Sequence, residues 1–197
     1  MENFIAYNPV TLHFGNGVLT TLGETLRIYG SRVLLVYGKG SVKSSGLYDR
    51  IVSDLKQQQF LLSEFGGIRS NPVIEDVDEA AAIGRTHNAE VILAVGGGSV
   101  IDSAKASAAA IPVGHTAWKF FTGTKPDTAI PIIAVLTLAA TGSEMNPFAV
   151  LSNHETGVQT AFGSPLVFPK PSFLDPSLTL TVALTYTAYG LAARIAL

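Results

Sequence analysis

Five consecutive apolar residues, Val91-Ile92-Leu93-Ala94-Val95, run without a spacer into Gly96-Gly97-Gly98-Ser99 and then into an alanine-rich stretch from Val100 to about Ala110. A short apolar run that ends on glycines is a strand buried on both faces, and the alanines that follow make a helix. Strands of that kind occur in parallel sheets whose two faces are covered by helices. The same grammar recurs upstream. Val33-Leu34-Leu35-Val36-Tyr37 stops at Gly38-Lys39-Gly40-Ser41, after which Leu47, Ile51 and Leu55, with Tyr48 and Val52 beside them, form one face of an amphipathic helix. Phe60 to Phe65 is a second short strand. Pro72 opens a helix with Glu75 and Asp76 in its first turn, where carboxylates suit the positive dipole end, and with Val77, Ala80, Ala81 and Gly84 as its packing face. A strand from Ile130 to Leu136 follows. Ala149 to Ser152 and Gln159 to Phe162 then flank Asn153-His154-Glu155-Thr156-Gly157 as a β-hairpin. Alternating strands and helices through the first 140 or so residues predict a doubly wound α/β fold with a mostly parallel sheet and right-handed crossovers.

Composition agrees with a sheet covered on both sides: 47% of the 197 residues are hydrophobic and only 14% charged. That length suits one well-buried core. The net charge of −2 comes from 13 basic and 15 acidic residues that are scattered, so neither nucleic acid nor an anionic membrane is expected as a partner. No apolar stretch reaches the roughly 18 to 20 residues a membrane span needs, and the N-terminus lacks a basic n-region, so a cytoplasmic location is expected. Without cysteine, thiolate nucleophiles and cysteine-ligated metals are excluded. The last segment carries Leu184, Ala188, Leu191 and Ile195 at helical spacing and ends on Leu197, an apolar face expected to dock on a further helical domain or on another chain.

Glycines at 96 to 98 let a ligand approach the backbone, and the helix start after them offers unpaired N–H groups to a phosphate. Such turns also occur without a ligand, and Ser99 makes an ordinary N-cap. Asp102 and Lys105, three apart, share a helix face, and spacing alone favours a surface pair. Thr137, Thr141, Ser143, Glu144 and Asn146 place polar groups just past a strand's carboxyl end, where open α/β sheets bind ligands. His13, His87, His115 and His154 have no partner at metal-ligand spacing, so no metal is assigned to them. No G-x-S-x-G elbow is present.

Taken together these pieces resemble the iron-containing alcohol dehydrogenase family, in its NADPH-dependent aldehyde reductase and butanol dehydrogenase branch. The resemblance rests on Asn8-Pro9 through Phe14-Gly15, on Tyr37 through Lys43, and on Phe65-Gly66-Gly67-Ile68 with Asn71-Pro72. It extends through Ala94 to Ser99 with Asp102 and Lys105, then Leu136 to Glu144, then Leu174-Asp175-Pro176. It implies a Rossmann-like dinucleotide-binding domain over residues 1–182. Residues 183–197 would be the first helix of a C-terminal helical metal-binding domain otherwise missing from this sequence. The implied cofactor is a nicotinamide dinucleotide, and the implied site is Gly38, Lys39, Gly40, Ser41, Lys43, Asn71, Gly97, Gly98, Ser99, Asp102, Thr137, Leu138 and Thr141. The pyrophosphate would lie on Gly97 to Ser99 and the adenosine ribose against the threonine segment. NAD-using members often carry an acidic residue after the first strand. Lys39 and Lys43 stand there in this sequence, which implies NADP(H).

The departures concern chemistry. The family holds iron or zinc through one aspartate and three histidines. Here the aspartate position falls on Ala193, the first histidine on Leu197, and the other two beyond it. Gln159 replaces a lysine that the family sets near the nicotinamide ribose. The expectation is therefore an NADP(H)-binding half with no catalytic residues of its own, from an enzyme moving hydride between cofactor and a small alcohol or aldehyde. Alone it would turn over little, for want of a Lewis acid. Association into a homo-oligomer such as a dimer is also expected. A non-catalytic nucleotide-binding or oligomerisation module is the alternative. A glycerol-phosphate dehydrogenase or dehydroquinate-synthase-like protein shares the glycine loop, but Thr141-Gly142-Ser143-Glu144 favours the alcohol dehydrogenases.

Overall fold

The computed structural model describes residues 7–179; the expected helix over 183–197, with Leu191, Ala193, Ile195 and Leu197, lies outside them. Along the chain come β1 (Thr11–Phe14), α1 (Leu22–Arg27), β2 (Arg32–Gly38), α2 (Ser41–Ser44), α3 (Leu47–Gln57), β3 (Leu61–Ile68), α4 (Ile74–Thr86), β4 (Val91–Gly96), α5 (Gly98–Val113), α6 (Trp118–Phe121), β5 (Ile132–Leu136), β6 (Phe148–Asn153), β7 (Val158–Gly163) and β8 (Pro171–Leu174). Six strands form one sheet in the order β1-β8-β5-β4-β2-β3, and every neighbouring pair is parallel. The remaining two, β6 and β7, make the expected antiparallel hairpin. Its turn is held by the Asn153 side chain, which accepts from the Glu155 and Thr156 amides.

The central strands are the ones written as continuous apolar runs, and every residue of β4 and β5 is buried. Period-two alternation sends Leu34, Val36, Ile92, Ala94, Ile132 and Ala134 to one face, where α4 and α5 pack. Val33, Leu35, Val91, Leu93, Ile133 and Val135 meet α1 and α3 on the other. Of the two layers, α5 is the more enclosed. Its alanines at 104, 106, 108, 109 and 110 are fully buried, which is why the helix reads as small and apolar on all sides instead of amphipathic.

Several boundaries differ from expectation. The strand placed at Phe60 to Phe65 is β3, which starts one residue later and runs three residues further; α4 begins at Ile74, two residues after Pro72; and α5 extends from Gly98 to Val113. The extension passes over Pro112, which cannot donate to the Ala108 carbonyl; the Ile130 amide takes that carbonyl at 3.1 Å. Strands β1 and β8 carry no such run in the sequence. They pair with each other, β1 at the sheet edge and β8 beside β5.

Among the described residues no helix is long and apolar enough to cross a membrane.

Candidate functional site

In a sheet of this order the chain runs from β2 outward to β3 and then returns to place β4 on the other side of β2. The carboxyl ends of two strands that diverge in this way leave a crevice, the usual ligand position in open α/β sheets. A cleft of about 740 Å³ opens there, within the range of small-molecule sites. Gly38, Lys39, Gly40 and Ser41 line it from the end of β2, Gly97, Gly98 and Ser99 from the end of β4, and Thr137, Leu138 and Thr141 from the end of β5. The fold thus brings most of the expected site residues into one crevice.

At the start of α5 the Val100 and Ile101 amides both bond the Gly97 carbonyl, which leaves the Gly98 and Ser99 amides as the donors the helix does not use. The cap is Gly97, with no side-chain hydrogen bond, so Ser99 is not the N-cap. Its hydroxyl donates instead to the Ser70 carbonyl, tying α5 to the loop after β3. Gly98 is required by packing: a Cβ there would stand 2.2 Å from Thr141 Oγ1. Backbone amides at a helix start, beside a wall kept low by glycine, suit a diphosphate.

Three expected residues lie outside the cleft lining. Asn71 is exposed. Lys43 holds its ammonium 5.2 Å and 4.8 Å from the ring centroids of Tyr37 and Tyr48, a cation–π seat. Both phenols donate to Glu64 Oε2, and that carboxylate pushes the Tyr48 hydroxyl far above its usual titration range. Asp102 is engaged within the protein: one carboxylate oxygen accepts from Ser143 Oγ, the other from the Val150 amide at 3.1 Å.

Beside Asp102 the expected surface pair proves to be interior. Lys105 has no exposed surface, and its Nζ lies 3.9 Å from Asp102 Oδ1. The ammonium donates to Ser143 Oγ at 2.7 Å, Asn146 Oδ1 at 3.1 Å and the Phe148 carbonyl at 2.7 Å. Burial lowers the Lys105 titration point and raises that of Asp102, each opposed by the other's charge. Together the two side chains fasten the segment after Thr141, and the hairpin that follows it, to the helix that starts at the glycine loop.

The cleft also contains residues that motif reading passed over: Arg50, Arg69, Ser70, Ser177 and Leu178. Arg69 is ion-paired with Asp76 at 3.1 Å. Ser177 is set by Asp175, whose carboxylate accepts from the Ser177 hydroxyl and amide and from the Gly17 amide; the Ser177 hydroxyl is the main reason its titration point falls. Leu174-Asp175-Pro176 was the available signal for Ser177. For Arg50 and Arg69 there was none. Among the described residues no cleft-lining residue is acidic, so the walls offer cations, hydroxyls and amides. Among the described residues no three His, Asp or Glu side chains converge as a metal centre.

The profile of the family described as iron-containing alcohol dehydrogenase matches residues 9–176. Among curated relatives, the probable NADH-dependent butanol dehydrogenase 1 of Bacillus subtilis (strain 168) is 47% identical over 192 residues, covering 97% of this chain and 50% of that protein. The NADPH-dependent aldehyde reductase YqhD of Escherichia coli (strain K12) is 42% identical over 194 residues, covering 96% and 49%. Among solved structures, NADH-dependent butanol dehydrogenase A from Thermotoga maritima superposes with a TM-score of 0.93 at 40% identity, covering 100% of this chain and 50% of that one. The chain therefore spans about half the length of these relatives.

Proposed function

Since this chain belongs to the iron-containing alcohol dehydrogenase family, we propose that it is the NADP(H)-binding domain of an alcohol dehydrogenase or aldehyde reductase, with residues 1–182 forming that domain. The observation that carries the proposal is the crevice at the ends of β2 and β4, free of acidic side chains among the described residues, with spare amides of α5 on one wall and Lys39 on the other. A diphosphate matches the first wall. A 2′-phosphate, with about two negative charges, matches the second, where an acidic residue would have favoured the bare ribose hydroxyl of NAD(H). Relatives named for NADH and for NADPH both occur, so the choice rests on these residues.

Gly97, Gly98 and Ser99 would hold the pyrophosphate, and Thr137, Leu138 and Thr141 the adenosine side. A divalent metal, where the family uses one, polarises the carbonyl or alcohol oxygen. The positions at which the resemblance puts its first ligands, Ala193 and Leu197, have no donor atoms. No step is therefore assigned to a metal on this chain. By itself the chain should bind the cofactor and turn over little or nothing. Calorimetric titration of the 197-residue protein checks the first half, with NADPH expected to bind more tightly than NADH; the reverse order sinks the cofactor assignment. Aldehyde reduction that depends on added iron or zinc and stands well above a protein-free blank would overturn the second half.

A further inference from the structure

We propose that Arg50 is a specificity-determining residue that, with Lys39, grips the 2′-phosphate and so sets the preference for NADP(H); this rests on the NADP(H) reading above. Of the two lysines that follow β2, only Lys39 lines the cleft, because Lys43 is held over the Tyr37 and Tyr48 rings. The fold supplies a different second cation. Gly46, at φ +75°, turns the chain so that the first turn of α3 borders the cleft through Gly46, Leu47 and Arg50. Leu47 and Arg50 are three apart and share a helix face; Leu47 is buried in the core and Arg50 is exposed to the cleft.

The other cleft arginine is committed to Asp76. Among the described residues the Arg50 guanidinium makes no ion pair and no side-chain hydrogen bond. Asp175, the carboxylate that feels its charge, is already satisfied by Gly17 and Ser177. Among the described residues an uncommitted planar fork and an uncommitted ammonium line the same cleft, with no acidic residue in that lining, which suits a phosphate monoester. The amides of α5 provide for the pyrophosphate on the β4 side. What remains beside the end of β2 is the ribose 2′ position.

The test compares NADPH and NADH affinities for the 197-residue chain and its Arg50→Gln, Arg50→Lys and Lys39→Gln variants, with circular dichroism melts to establish that each is folded. Arg50→Gln should weaken NADPH binding by about tenfold or more and NADH by less than about twofold, and Arg50→Lys should fall between, because a point charge replaces a two-pronged donor. Equal loss for both nucleotides, or no loss for either, overturns the role of Arg50 while leaving an NADPH preference in the parent chain intact. A parent chain that prefers NADH overturns the underlying cofactor reading and this inference with it.

Discussion

A lysine with no exposed surface is tolerated only if each of its protons finds an acceptor, and Lys105 finds three, all on the segment from Ser143 to Phe148. Replacing it by methionine keeps the volume and strands the Asp102 carboxylate without its counter-charge. Lys105→Met should destabilise the fold by about 3–5 kcal/mol in urea denaturation. A loss under about 1 kcal/mol would mean the network is not holding the segment. Asp175 makes the second prediction. Its folded-state titration point lies below the ordinary 3.8, so as pH falls the unfolded chain takes up the proton first. Its contribution is present in full above that value and drains away as pH drops through the lower folded one. Asp175→Asn should therefore cost about 2 kcal/mol at neutral pH, with the gap to the parent narrowing once pH falls below about 4; a gap independent of pH contradicts this. Little of this was legible beforehand. Spacing says that Asp102 and Lys105 share a helix face, but what covers that face arrives some forty residues later. Likewise, proximity in sequence to Lys39 recommends Lys43, whereas the turn at Gly46 delivers Arg50.

The pieces that sequence reveals best at the level of elements are those whose local pattern and final environment agree. Strands β2, β4 and β5 are unbroken apolar runs because helices cover both their faces, and α3 shows its stripe because one side meets water. Strand β1 fails the same test, since Thr11, Leu12 and Phe14 are all exposed at the sheet edge; β8 is four residues long and starts on a proline. The glycine loop was visible, but the reason for its third glycine was not: Gly98 is dictated by Thr141, a residue of the loop after β5. Gly98→Ala must push that threonine aside. The expected result is a stability loss of about 1–3 kcal/mol, together with at least a roughly tenfold weaker hold on NADPH. Unchanged affinity would show that the fit of the two loops is irrelevant to binding.

Across the whole molecule charge is nearly balanced, yet among the described residues the walls of one crevice carry cations and no carboxylate. Affinity for NADPH should accordingly weaken several-fold between about 50 and 500 mM sodium chloride, as screening shortens the reach of Lys39 and Arg50. The drop should be smaller for NADH, which has fewer charges to attract; identical salt curves would argue that the cations act only locally. The sheet order has one more consequence, for how such a chain is made. Strand β8 comes last in sequence among the described strands, but it occupies the place between β1 and β5. During synthesis the first strand has no neighbour to join until about 160 further residues have left the ribosome, and the nascent four-stranded β5-β4-β2-β3 layer must keep one flank open for that late arrival.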